Sequence, residues 1–227
     1  MRSGWSALLF LCAGAVCLAA PSGDARSRDS SGVKRILVLG DSLSDGFMLR
    51  RSQAYPALLA EKLHAAGLDA FVITNASQSG GTSAGGLERL LPHLKQPVDI
   101  FILELGINDV FLGVPVDQIR ANLQSIIDQV RAHNPGVRLV ITGMEVPNLP
   151  ADDYLSAFTG MYRDLAEKNG AALVPSLLAG VSGDGALNLP DRLHPNAEGH
   201  KVLARNVWQV LEPIAREVGA ETHASVR

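Results

Sequence analysis

From residue 34 to residue 218 the chain alternates between short, almost wholly apolar runs and longer stretches whose apolar residues return every three or four positions. The runs cover 36–39, 70–73, 98–105, 137–141 and 171–174. Their length and continuity suit strands that are buried on both faces. The intervening stretches predict helices over 53–66, 86–94, 116–133, 153–169 and 196–218. In the third of these, Ile119, Leu123, Ile126, Ile127 and Val130 mark a single buried face. Ala66-Gly67 and Asn169-Gly170 offer left-handed stops, and Asn196 after Pro195 can cap the last helix. Strands alternating with helices imply βαβ crossovers and a parallel sheet covered on both sides. The expected fold class is therefore α/β, a three-layer αβα sandwich.

The N-terminus departs from this pattern. Arg2 is followed by an uncharged apolar stretch over 7–20 and a polar segment over 21–32, the layout of a secretory signal. The apolar part is too short for a comfortable membrane span. We expect a signal peptide over 1–25 with cleavage near 20 or 25, a linker over 26–33, one domain over 34–218 and a tail over 219–227. The mature chain is then periplasmic or secreted. Cys12 and Cys17 both fall inside the leader, so the exported chain would hold together without disulfides. Lipid attachment at Cys17 is disfavoured by the branched Val16 before it.

A chain of 227 residues allows one domain of ordinary size, able to bury roughly 70% of its unfolded surface. The formal net charge of −3 argues against a nucleic-acid binder, for which a basic patch is expected. A monomer with no stable membrane span in its mature form is anticipated, and no grouping of side chains reads as a metal site.

Chemistry enters through two distant segments. Ser42, in Gly40-Asp41-Ser42-Leu43, follows the first apolar run directly and so sits on a turn at a strand end, where open α/β sheets expose reactive groups. His194, in Asp191-Arg192-Leu193-His194-Pro195, lies three residues after an acid able to orient its ring. Order and spacing permit a Ser-His-Asp triad. Between them, Ser79-Gly80-Gly81 and Gly106-Ile107-Asn108-Asp109 each end an apolar run and can supply donors to an oxyanion. Taken singly, each residue has a plain reading: Ser42 as a helix cap, Gly80 as a loop glycine, His194 as a loop histidine. Asp109 reads as a cap or loop brace, Ser44 and Asp45 as turn and capping residues, and His200 as a packing or capping residue. Glu104, an acid inside an apolar run, needs a basic or amide partner.

These four segments, in this order, resemble the four blocks of the SGNH (GDSL) hydrolase family, and the likeness runs from about Lys34 to Leu211. Within the family the chain is most similar to the bacterial arylesterase, thioesterase I and lysophospholipase branch. The resemblance implies a five-stranded sheet in the flavodoxin-like order 2-1-3-4-5. It also implies Ser42 as nucleophile, His194 as base and Asp191 as its orienting acid, with Ser42 N–H, Gly80 N–H and the Asn108 amide as the oxyanion hole. Ile107 stands where glycine is frequent in relatives. Family acyl-binding loops follow the third and fourth strands, which here carry Phe111, Leu112 and Val114, then Val146, Leu149 and Leu155. Phe111, Leu112, Val146 and Leu149 are the expected substrate contacts.

The implied activity is hydrolysis of acyl or aryl esters, thioesters or lysophospholipids through an acyl-enzyme, with a small-molecule substrate and no cofactor. Two alternatives stay open: a carbohydrate acetyl-esterase or acetyl transferase of the same fold, and a noncatalytic lipid-binding protein.

Overall fold

Five strands, β1 (Lys34–Leu39), β2 (Phe71–Asn75), β3 (Ile100–Leu103), β4 (Arg138–Thr142) and β5 (Ala172–Val174), form one parallel sheet in the order β2-β1-β3-β4-β5. This is a computed structural model, and it describes residues 32–146 and 152–224 together with Met1. The expected leader, most of the linker and Leu149 lie outside the described residues. The central strands are those whose apolar runs are most continuous: β1 and β3 carry Ile36 to Leu39 and Ile100 to Leu103, all buried. Ile36 pairs with Ile73 on one side and Ile100 on the other, so the register stacks branched side chains across the sheet. Edge strand β2 is more exposed, as one uncovered margin requires.

The helices are α1 (Ser42–Asp45), α2 (Tyr55–Ala65), α3 (Ser83–Arg89), α4 (Ile107–Phe111), α5 (Val116–His133), α6 (Asp153–Asn169) and α7 (Ala197–Ala224). On one side α2 packs against α7 and β2; elsewhere α5 packs between α3 and α6. The five apolar residues expected on α5 are its five buried ones. Burying each such side chain favours folding by roughly 1.5–3 kcal/mol, enough to fix which face turns inward. The α6 bounds follow from its ends: Asp152 accepts from Leu155 N–H at 2.7 Å, and Gly170 takes the left-handed stop at φ 53°. Asn196 caps α7 by accepting from Glu198 N–H at 3.0 Å and Gly199 N–H at 3.1 Å.

Several boundaries differ from the sequence expectation, each for a local reason. The helix expected from residue 53 starts at Tyr55, because a 3-10 turn over Arg51–Gln53 and an extended Ala54 precede Pro56, which favours the first turn. The helix expected over 86–94 divides into α3 and a 3-10 turn over Leu91–Lys95, where Pro92 supplies no N–H. Helix α7 runs past residue 218, and Arg138 on β4 reaches Glu221 on that extension at 2.7 Å.

His200 on α7 acts as a cap, though for another helix. Its Nδ1 accepts the N–H of Tyr55, the first residue of α2, at 3.1 Å. Burial, and then the neighbouring His194 charge, push its pKa down to about 4. An unfolded histidine titrates near 6.5, so the folded state disfavours its protonation. The contribution is intact above about pH 6.5 and is lost as pH falls toward 4. Thermal melts should therefore show the parent losing more Tm than His200→Gln between pH 6.5 and 4. Parallel curves would refute this role.

Candidate active site

The parallel register puts the carboxyl ends of β2, β1 and β3 side by side, and the loops that leave them stay in contact. Beyond β2, Ala76 N–H donates to Val38 O at 2.8 Å and Gln78 N–H to Gly40 O at 3.1 Å; beyond β3, Glu104 N–H donates to Leu39 O at 2.9 Å. Three chain segments far apart in sequence thus converge where the first apolar run ends. Ligand sites in open α/β sheets form at such strand ends.

Ser42 opens the four-residue helix α1. Asp41 caps it by accepting Leu43 N–H at 2.9 Å, and Gly46 closes it in the left-handed region at φ 80°. As the first helical residue, Ser42 has an N–H with no intrahelical acceptor. Gly40 must lack a side chain, because a Cβ there would collide with Glu104 Oε2 and the Ser44 side chain. The turn is therefore pressed tightly onto the end of β3, with Ser42 only 7% exposed.

His194 arrives on the long connection between β5 and α7. Asn188 bridges Pro195 in antiparallel fashion, and Leu189 N–H donates to His194 O at 2.7 Å, which anchors the loop on both sides of the ring. Asp191 Oδ1 accepts Leu193 N–H at 2.9 Å and His194 N–H at 3.0 Å, while Oδ2 lies 2.7 Å from His194 Nδ1. Burial opposes ionisation of Asp191, but those backbone donors and the imidazole outweigh it and hold the carboxyl below its usual value. His194 Nε2 lies 3.1 Å from Ser42 Oγ. With Nδ1–H donating to Asp191, Nε2 is free to accept the serine proton. On the ring's other flank Phe47 packs at 4.5 Å between centroids.

The segment after β2 is held by Asp45, whose Oδ2 accepts Ser79 N–H at 3.1 Å and Ser79 Oγ at 2.6 Å. Asp45 thus braces this loop rather than capping its own helix. Gly80 follows in the left-handed region at φ 75°, which favours glycine. Asn108, on the first turn of α4, donates one amide hydrogen to Gly81 O at 3.0 Å, which ties the second and third segments together. Asp109 is a brace, accepting Ser83 N–H at 2.8 Å and Ser83 Oγ at 2.6 Å.

Phe111 and Leu112, expected at the substrate, are 54% and 71% exposed at the end of α4, within a turn of Asn108. Val146 is half-buried against the core. Glu104 does not meet a basic side chain: Ser44 Oγ donates to its Oε2 at 2.6 Å and Asp41 N–H at 3.1 Å. Ser44, expected as a turn residue, is instead buried between Glu104 and the Tyr55 hydroxyl.

Two features were missed from sequence. Phe47 against His194 crosses too much chain to leave a local signal. The Arg89 guanidinium donates to Gly40 O at 2.6 Å, and its only trace in sequence was a charge inside an expected helix.

A profile of the GDSL-like lipase/acylhydrolase family matches residues 38–202, which span every segment just described. The chain belongs to that family. It is 37% identical to esterase TesA of Pseudomonas aeruginosa over 79% of this chain and 88% of that protein. Thioesterase 1/protease 1/lysophospholipase L1 of Escherichia coli is 33% identical over 79% of this chain and 84% of its own. The crystal structure of the psychrotrophic esterase EstA from Pseudoalteromonas sp., inhibited by monoethylphosphonate, superposes with a TM-score of 0.73 at 29% identity, covering 79% and 97% of the two chains. The family membership and the sheet order agree with the resemblance read from the four segments.

Proposed function

We propose that this chain is a serine hydrolase of ester or thioester bonds in which Ser42 attacks the acyl carbonyl, His194 takes its proton and Asp191 orients the imidazole. The observation that carries this reading is the pair of contacts on one ring, 3.1 Å from Nε2 to Ser42 Oγ and 2.7 Å from Nδ1 to Asp191 Oδ2. The serine hydroxyl is weak alone and needs a base within hydrogen-bond reach. Charge that develops on the carbonyl oxygen would be met by Ser42 N–H, Gly80 N–H and the second amide hydrogen of Asn108. As the intermediate collapses, the bond to the alcohol or thiol breaks, that group leaves with the proton held by His194, and an acyl-Ser42 ester remains. The same imidazole then takes a proton from water, whose attack releases the acid and returns the hydroxyl to Ser42.

Asn108→Ala removes one neutral donor and should lower kcat by roughly a hundred- to a thousandfold. Steady-state kinetics on a variant with unchanged Tm tests this. Full activity there would remove Asn108 from the role.

An apolar rim supports acyl or aryl substrates. Phe47, Met48, Phe111, Leu112 and Leu193 are exposed, and the family relatives include proteins named esterase and lysophospholipase. Each buried methylene would add about 0.8 kcal/mol, close to fourfold in affinity. Nitrophenyl esters from acetyl to octanoyl, run beside matching thioesters, should show KM falling with chain length. A flat or rising KM would leave only a small acyl pocket, as in an acetyl-esterase. No helix among the described residues is long and apolar enough to cross a membrane. The leader pattern supports export, so the substrate would be met in the periplasm or outside the cell.

A further inference from the structure

We propose that Asp41 and Glu104 form a buried acid pair that shares one proton and clamps the Ser42 turn, making both of them positioning residues for the nucleophile. The proposal rests on Ser42 being that nucleophile. It starts from two carboxyls that are both 0% exposed at the end of β3 and the start of α1. Between them they grip the turn on every side of Ser42. Asp41 Oδ1 accepts Leu43 N–H at 2.9 Å, and Glu104 Oε2 accepts Asp41 N–H at 3.1 Å and Ser44 Oγ at 2.6 Å.

The remaining oxygens, Asp41 Oδ2 and Glu104 Oε1, are buried with no donor among the described residues. The bond from Asp41 N–H to Glu104 Oε2 brings the two buried residues together at the end of the sheet. Two ionised carboxylates so placed would only accept, leaving both orphaned oxygens without a donor, and two adjacent buried negative charges repel strongly. One proton between them satisfies both free oxygens at once.

The surroundings decide where the proton resides. Burial raises both groups, Asp41 to about 7 and Glu104 well above the usual range, with the Asp41 charge as the second cause on Glu104. Arg89, bonded to Gly40 O, favours an ionised Asp41; Asp109 opposes it. Tyr55 and Tyr162 also face the pair, and burial holds both phenols well above their ordinary value, so they add no charge. Glu104 therefore carries the proton and Asp41 the charge. The pair holds one negative charge, opposed by one guanidinium.

The folded state thus binds a proton that an unfolded glutamate releases above about pH 4.3. Stability from this pair is complete in acid and declines as pH rises through the folded values. The decline is what separates a shared proton from mere packing.

Glu104→Gln is the test, because its amide can donate to Asp41 Oδ2 while its oxygen keeps the contacts to Asp41 N–H and Ser44, and it cannot titrate. Infrared spectra at pH 7 should show a protonated carboxyl band in the parent that is missing from Glu104→Gln. The Tm of the variant should rise relative to the parent from pH 5 to pH 9. Glu104→Ala should lower kcat at least tenfold with KM held, and Glu104→Gln should restore most of it. Absence of the band in the parent, or Tm curves that stay parallel, overturns the proposal. If Glu104→Gln does not fold, the band in the parent decides alone. The infrared band and the melting curves do not involve substrate, so a wrong assignment of Ser42 as nucleophile would leave them unchanged and be recognised separately by lack of labelling with a fluorophosphonate.

Discussion

Replacing Ser42 with alanine is expected to lower kcat towards esters by roughly five orders of magnitude or more, with little change in Tm. The size follows from what the proposed mechanism would lose, the attacking oxygen itself, with no second hydroxyl among the described residues bonded to His194. Stability should survive because the turn does not hang on that oxygen. Asp41 still caps α1 through Leu43 N–H, and Ser44 still bonds Glu104. His194→Ala should cost about as much, and the double variant no more than either alone, since base and nucleophile act as one unit. Backbone donors and Asn108 would leave a small residual rate over water. Steady-state kinetics with a melting curve on each variant checks all three. A folded Ser42→Ala protein within a hundredfold of the parent would dismiss Ser42 as nucleophile.

Elements long enough to show a period were readable from sequence, and their packing explains why. Helix α5 coincides with its expected bounds because five apolar residues at helical spacing form one stripe, and α6 because Asp152 and Gly170 mark its ends. The central strands are legible because both faces are buried, which makes their apolar runs continuous. Helices α1 and α4 were not read. With four and five residues they are too short for periodicity, and they exist because Asp41 caps one and Gly106, at φ 128°, turns the chain into the other. The left-handed Met48 and Arg192 carried no marker either, since neither is glycine or asparagine.

The site divides along the same line. Ser42 was singled out because it directly follows an apolar run, and His194 because Asp191 precedes it at a fixed local spacing, whereas the roles expected of Gly80 and Asn108 came from the resemblance of the four segments to a family. Their contacts, such as His194 to Ser42, depend on the sheet order, which follows from crossover handedness and packing rather than from any one segment. Glu104 shows the limit. Its sequence position announced a buried acid and a need for partners, but a partner across the sheet end, Asp41, is visible only once β1 and β3 are adjacent.

The second large effect expected is on Asp191→Asn, at about four orders of magnitude in kcat. The geometry gives the reason. Asp191 Oδ1 is held by two backbone donors, Leu193 N–H and His194 N–H, at 2.9 and 3.0 Å. An asparagine in this place keeps its oxygen on those donors, so its NH2 must point at His194 Nδ1. A neutral imidazole then accepts at Nδ1 and carries its proton on Nε2, facing Ser42 with a hydrogen where the base needs a lone pair. The loop brace is retained, so Tm should stay close to the parent, whereas Asp191→Ala gives up the brace and should melt lower. Nitrogen-15 shifts of the imidazole would report the reversed tautomer directly. Asp191→Asn activity within tenfold of the parent would mean that the ring is oriented by something other than this carboxylate, such as the packing of Phe47 at 4.5 Å.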